Sequence, residues 1–389
     1  MGTSSPAAPI GLHEKFEFAS PIAKRPRLEA DTSSSEQFLI STPSFPSSAK
    51  PCSGMKVLYL FAGQERKASI ANILRKRGAT VLEVDIIRNP KQDLTQLSQR
   101  QYYLTLISQK TWDVVITSPP CDTFSRAKMA NKLGPAPTRS LGYPRGLPNL
   151  PKTLFLRNEL GNILADFSWA ACLAQLSHNP AGFLIKEHPE DLGVVKTGFY
   201  AGKSPASIWQ WPEHGDCIKL GALSVGIRQA DFGTSYVKPT RLLLKLDSYD
   251  DLGEEFFLGP PLFSEDRTYV GPIPHIKGTT SLVRRETDTG FRTSGTAAWP
   301  EKLCYKLAGF LQAAYTRRQK DTLQEPRINL TVQTPLEVAP HSTPNPSQTV
   351  TASPPELPAT SSRDFPINLP PTNFNRGGCG PGRKIFLPN

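Results

Sequence analysis

The chain has 389 residues, 45 Lys+Arg against 34 Asp+Glu for a net charge of +11, 38 prolines and 38% hydrophobic residues. Proline stands at about twice its average share. No apolar run of about 18 residues occurs, which excludes a membrane-spanning helix, and the first residues carry no apolar signal core. The six cysteines form no CxxC pair, which argues against a zinc ribbon or a disulfide framework and for a reducing, intracellular setting.

Taken in chain order, residues 1–54 are rich in Ser and Pro and read as a disordered tail. Lys24-Arg25-Pro26-Arg27 in that tail fits a short nuclear-import signal, so the expected location is nuclear. Lys56-Val-Leu-Tyr-Leu-Phe-Ala-Gly63 reads as a buried strand stopping at a turn, and residues 66–77 as a helix ending near Gly78. A second strand follows at Thr80–Asp85, a helix at 94–108 and a third strand at Trp112–Thr117, which runs into Ser118-Pro119-Pro120-Cys121. Residues 122–153 read as a long basic loop carrying Arg126, Lys128, Lys132, Arg139 and Arg145. Its charges suit either a phosphate-gripping lid or a solubilising loop.

An amphipathic helix is expected over 157–177 and a strand over Gly182–Glu187, ending at His188-Pro189. Trp209 and Trp211 suit core packing better than base stacking. Arg241–Lys245 reads as a late strand, 247–296 as loop-rich and Glu301–Arg318 as a final helix. Residues 320–389 form a second Pro-rich tail that is expected to be disordered. Between the tails, residues 55–319 hold 34 Lys+Arg against 24 Asp+Glu. The positive charge therefore belongs to the folded part, where a surface can present it to a polyanion.

Alternating strands and helices predict an α/β domain with a mostly parallel sheet, whose ligands bind beyond the carboxyl ends of the strands. Three such ends carry chemistry: Phe61-Ala62-Gly63, Pro119-Pro120-Cys121 and Glu187-His188-Pro189. Two prolines fix the backbone in front of Cys121, which suits a nucleophile held in attack geometry, although a small buried hydrophobe would also fit there. Asp85, ending the second strand, is placed to accept hydrogen bonds from a ribose, or to serve as a turn carboxylate.

The order of these motifs resembles the DNA cytosine-5 methyltransferases, in the style of divergent members from phages and mobile elements. Leu58–Gly63 is similar to the motif that wraps the methionine end of S-adenosylmethionine, and Glu83-Val-Asp85 to the one that holds its ribose. Ser118–Cys121 looks like the nucleophile motif, and Glu187-His188-Pro189 like the motif that contacts the target base. Phe232-Gly233 with Lys238-Pro-Thr-Arg241 resembles the motif supplying a basic base contact, and Ser294–Pro300 the closing motifs.

The resemblance implies a Rossmann-like, seven-stranded methyltransferase fold with a reduced target-recognition region at 247–296. It implies S-adenosylmethionine as cofactor, held by Phe61, Ala62, Gly63, Asp85 and Pro119. It implies DNA as partner, its cytosine flipped out or single-stranded. Cys121 would attack carbon 6, Glu187 would hold the base edge, and Arg241 or Lys238 would hold its O2. The chain departs from the pattern where Gln64-Glu65-Arg66-Lys67 replaces a second glycine, where His188 replaces Asn and where one basic residue is missing. A catalytically inactive nucleic-acid-binding relative of the same fold is the alternative. An amino methyltransferase, which wants an aromatic after Pro-Pro, is disfavoured by Cys121.

Overall fold

The computed structural model describes residues 51–129, 135–274, 285–287, 290–291 and 296–324, all within the compact unit Ala49–Asn389. The Lys24–Arg27 cluster, Lys132, Ser294 and residues 325–389 of the C-terminal tail lie outside the described residues.

The domain is built on one seven-stranded sheet in the order β2-β1-β3-β4-β6-β5-β7. The strands are β1 (Lys56–Leu60), β2 (Thr80–Val84), β3 (Val114–Thr117), β4 (Phe183–Pro189), β5 (Leu223–Arg228), β6 (Pro239–Lys245) and β7 (Phe257–Leu258). β1, β2, β3 and β4 pair in parallel. β6 runs antiparallel to both β4 and β5, and β7 antiparallel to β5. The sheet is therefore mixed, not mostly parallel as expected. β5, β6 and β7 follow one another through connections of 10 and 11 residues, too short for the helical crossover that parallel neighbours need, whereas 33 residues link β4 to β5.

Two helices, α1 (Ile70–Lys76) and α5 (Glu301–Gln324), cover one face. Three others, α2 (Leu97–Ser108), α3 (Lys152–His178) and α4 (Pro212–Lys219), cover the opposite face. The alternation of strand side chains divides the core accordingly. Tyr59, Ile116, Ile185, Leu242 and Leu244 face α1 and α5, whereas Leu58, Leu60, Val115, Leu184 and Leu243 face the other layer. Trp209 and Trp211 are buried in that second layer, and the Trp209 indole donates to the Pro189 carbonyl at 2.8 Å. Both tryptophans are packing residues. Cys172 is likewise buried in that layer.

Helix boundaries follow local chemistry. Ser69 caps α1 by accepting from the Asn72 N–H at 3.2 Å. Pro151 precedes α3, which starts five residues earlier than its apolar pattern suggests. The final helix continues to Gln324 and so takes in the first residues assigned to the tail. Among the described residues no helix is long and apolar enough to cross a membrane.

Candidate functional site

The chain reverses its direction of progress across the sheet between β1 and β3. β1 leads through α1 to β2 on one side, and β3 leads through α3 to β4 on the other, with α1 and α3 on opposite faces. The two connections diverge from the carboxyl ends of β1 and β3, which is the position where open α/β sheets take ligands. Phe61–Gly63 and Ser118–Cys121 lie at those ends, and Glu187 stands at the adjoining end of β4. Antiparallel β6 begins beside that end, with Pro189 opposite Thr240, so Lys238 arrives there too.

Cys121 follows Pro120 in a helical conformation and starts a single 3-10 turn at Asp122–Phe124. Burial pushes its thiol above the ordinary value of 9.0, and the Lys238 ammonium opposes that rise while Glu187 adds to it. Both side chains therefore act on the thiol across the strand ends. Lys238 has φ +30 and anchors the segment before α5, its Nζ donating to the Thr296 carbonyl at 2.6 Å. Glu187 is 7% exposed.

Arg241 does not join this group. Residues 187 and 241 lie on opposite faces of the sheet by strand parity. Arg241 is fully buried and paired with Glu190 at 2.8 Å; it also donates to Ser224 Oγ at 2.8 Å and to the Gly259 carbonyl at 2.6 Å. Of the two basic candidates, only Lys238 acts electrostatically on the thiol. His188 also faces away from Glu187. It is 1% exposed between Phe124 and Trp209, and burial holds its imidazole well below the usual range, so the ring is neutral.

The turn after β1 has the expected shape. Phe61 and Gly63 both adopt positive φ, +62 and +68. A glycine suits the second of these, and a Cβ there would meet nothing within 4 Å, so the space above the turn is open. The Phe61 ring packs on Phe167, Ala62 lies partly buried against the α1/α5 layer, and Pro119 is buried. The polar groups of the turn are already engaged within the chain. Asp85 is 2% exposed and accepts from the Gly63 N–H at 2.9 Å and the Ile87 N–H at 2.9 Å. Glu83 is paired with Arg75 at 2.6 Å and with Arg88 at 2.9 Å, and Arg88 Nε donates to the Gly63 carbonyl at 2.6 Å. Both carboxylates at the end of β2 are thus committed to internal partners. As they stand, these residues do not fit the ribose of S-adenosylmethionine.

The basic loop after Cys121 is held down by its own charges. Arg126 donates to the carbonyls of Gly193 and Val194. Lys128 pairs with Asp122 at 3.4 Å, and Arg145 with Asp166 at 2.8 Å. Arg139 is 2% exposed; it donates to Asn162 Oδ1 at 2.6 Å and the Asn158 carbonyl at 2.8 Å, and lies 4.0 Å from the Phe124 ring centroid. Gly161 of α3 permits this close approach, because a Cβ there would lie 2.6 Å from Thr123 Oγ1 and 3.0 Å from Arg139. Arg126, Arg139 and Arg145 fasten this loop to α3 and the segment after β4, while Lys128 closes on Asp122 within it.

Sequence reasoning missed Tyr59. It is 5% exposed and lies on the Glu187 face, one step of the pleat below the strand ends. Ser118 and Glu187 both stand beside its phenol, which burial pushes far above the usual value of 10.0. Strand parity was the available signal, since residues 59 and 187 share a face once β1, β3 and β4 are known to pair in register. Among the described residues no cluster of three or more His, Cys, Asp or Glu is arranged to hold a metal ion.

In comparisons with known proteins, no family model and no curated protein matches the chain. The fold and site together define an α/β domain with a seven-stranded mixed sheet and a thiol–carboxylate–ammonium group at its switch point.

Proposed function

We propose that this domain captures a cytosine base of DNA and activates its carbon 5 through a Cys121 thioether, in the manner of the DNA cytosine-5 methyltransferases it resembles. The observation that carries the reading is the meeting of Cys121, Glu187 and Lys238 at the point where the chain reverses its direction of progress across the sheet. The topology supports it in part. The methyltransferase order 3-2-1-4-5-7-6, with its third strand left out, reads like β2-β1-β3-β4-β6-β5. The match is inexact, because among the described residues no strand lies beyond β2 and β7 is added at the other edge.

The chemistry follows from the residue types. The Cys121 thiolate would add to carbon 6, while Glu187 would hydrogen-bond the base edge at N3 and the exocyclic amine. Lys238 would face O2 and favour the thiolate over the buried thiol. The adduct is an enamine, and carbon 5 becomes nucleophilic. A stacked base cannot reach the thiol, so the cytosine is flipped out or single-stranded. The net charge of +10 on residues 55–319 favours a polyanionic partner. Methyl transfer from S-adenosylmethionine is the full activity that the resemblance implies. The commitments of Asp85 and Glu83 favour the second reading, a DNA-binding relative that kept the cytosine centre without the cofactor.

The centre can be tested without any methyl donor. The thiolate adds to carbon 6, carbon 5 takes a proton from water and gives up its own hydrogen, and the thiolate leaves. Single-stranded DNA carrying tritium at cytosine carbon 5 should therefore release it into water. Release should rise as pH climbs toward the elevated thiol pKa, fall at least about tenfold in Lys238→Met, and vanish in Cys121→Ala. Equal release from wild type and Cys121→Ala would overturn the reading.

A further inference from the structure

We infer that the turn after β1 is latched shut by Arg88, so that the domain as folded excludes S-adenosylmethionine from the place the resemblance assigns to it. The inference rests on the methyltransferase-type reading only for its choice of ligand. A nucleoside cofactor at a switch point needs three things from the chain: open space above the turn, free backbone polar groups on the turn, and a carboxylate at the end of the second strand for the ribose diol. The first is present, because nothing approaches within 4 Å of where a Gly63 side chain would begin. The other two are taken.

Arg88 takes one group of each kind, and Asp85 takes the Gly63 N–H. Arg88 Nε donates to the Gly63 carbonyl at 2.6 Å, while its Nη1 donates to Glu83 Oε2 at 3.0 Å and its Nη2 lies 2.9 Å from Glu83 Oε1. Arg75 holds the same carboxylate from α1 at 2.6 Å and donates to the Val81 carbonyl at 2.9 Å. Asp85, meanwhile, accepts the Gly63 N–H and is itself tied to the following turn, its N–H donating to Gln92 Oε1 at 3.2 Å. A ribose entering here would have to displace a guanidinium from a carboxylate that is only 4% exposed. Charge-assisted, two-point bonds of this kind are stronger than the neutral hydroxyl contacts that would replace them.

The latch is separable from the fold. Glu83 keeps Arg75 when Arg88 is removed, so Arg88→Ala leaves no unpaired buried charge. It frees the Gly63 carbonyl and one Glu83 oxygen.

The test is titration calorimetry of the full chain with S-adenosylmethionine and with S-adenosylhomocysteine. Wild type should show no saturable binding up to about 1 mM, the limit where binding energy falls to about 4 kcal/mol. Arg88→Ala should bind one equivalent at least about tenfold more tightly than that limit. Arg88→Gln, which keeps the side-chain length and loses the charge, should do the same, with circular dichroism confirming the fold of each. Micromolar 1:1 binding by wild type would overturn the inference, and so would folded variants that bind no better than wild type. Tritium release in the absence of cofactor reads the cytosine centre independently, so failure of that reading and failure of this one give different results.

Discussion

Replacing Arg241 with alanine is expected to cost the domain about 3–5 kcal/mol of folding stability, the range for breaking a buried ion pair by removing one partner. The cost arises from what is left behind. Arg241 and Glu190 are both without side-chain exposure, so the substitution strands a carboxylate in the core. Burial already pushes Glu190 up to about 7, against the opposing pull of Arg241. The Ser224 hydroxyl and the Gly259 carbonyl lose their donor as well. The double change Arg241→Met with Glu190→Met removes both charges and should recover most of the loss, because well-packed apolar pairs commonly replace buried ion pairs at little cost. Urea unfolding of the three proteins decides it. An Arg241→Ala protein as stable as wild type would refute the buried pair.

The same experiment separates structure from chemistry at this position. Under the proposed function the base-contacting cation is Lys238, which acts on the Cys121 thiol. Tritium release by any folded Arg241 variant should therefore stay near the wild-type value, whereas Lys238→Met loses it without a comparable loss of stability.

Why Arg241 could be mistaken for a site residue is a matter of parity. The sequence shows a basic residue close to the start of a strand, but the face it occupies depends on where the strand begins and on its partner. Pairing His188 with Arg241 puts both on the face opposite Glu187, and a shift of one residue would have reversed that. The first half of the sheet was easier to read. β1 and β3 are nearly continuous apolar runs ending at Gly or Pro, the pattern of parallel strands buried on both faces, and β4 opens on the apolar Phe183-Leu-Ile185 before its polar end. β5 is hard to recognise in the sequence because Ser224 and Gly226 interrupt its apolar run. Packing explains the second interruption, since a Cβ at 226 would lie 2.6 Å from the Ile273 side chain. The loop cations misled for a related reason. Arg126, Lys128, Arg139 and Arg145 look like a phosphate grip in one dimension, yet the acceptors of Arg126, Arg139 and Arg145 lie farther along the chain on α3 and after β4, and Lys128 is paired with Asp122. Composition cannot tell a solvated arginine from one that clamps a distant carbonyl.

A second charged group in the core is expected to give the opposite result on removal. Lys186 is fully buried on β4. Its ammonium donates to Ser168 Oγ, which shares a 2.9 Å hydrogen bond with Thr117 Oγ1, and it lies 4.1 Å from the Trp169 ring centroid. No carboxylate forms an ion pair with it among the described residues. Burial therefore pulls the lysine down to about 8 from 10.5, only partly offset by Cys172, Cys217, Glu187 and Glu213. The sign of the effect follows from proton counting. Between pH 8 and 10.5 the unfolded chain holds a proton that the folded chain has released, so folding becomes more favourable as pH rises through this window. Below the window both states are protonated and the folded state carries the whole penalty, about 3 kcal/mol at 1.36 kcal/mol per pH unit. Lys186→Met, which keeps the length and the apolar stem, should then stabilise the domain at pH 7 by about 1–3 kcal/mol, the lost bond to Ser168 and the ring contact reducing the gain. Its advantage over wild type should shrink steadily above pH 8. Urea unfolding of both proteins at pH 7, 8.5 and 10 provides the measurement, and a stability difference that is constant across that range would show that the ammonium bears no burial penalty.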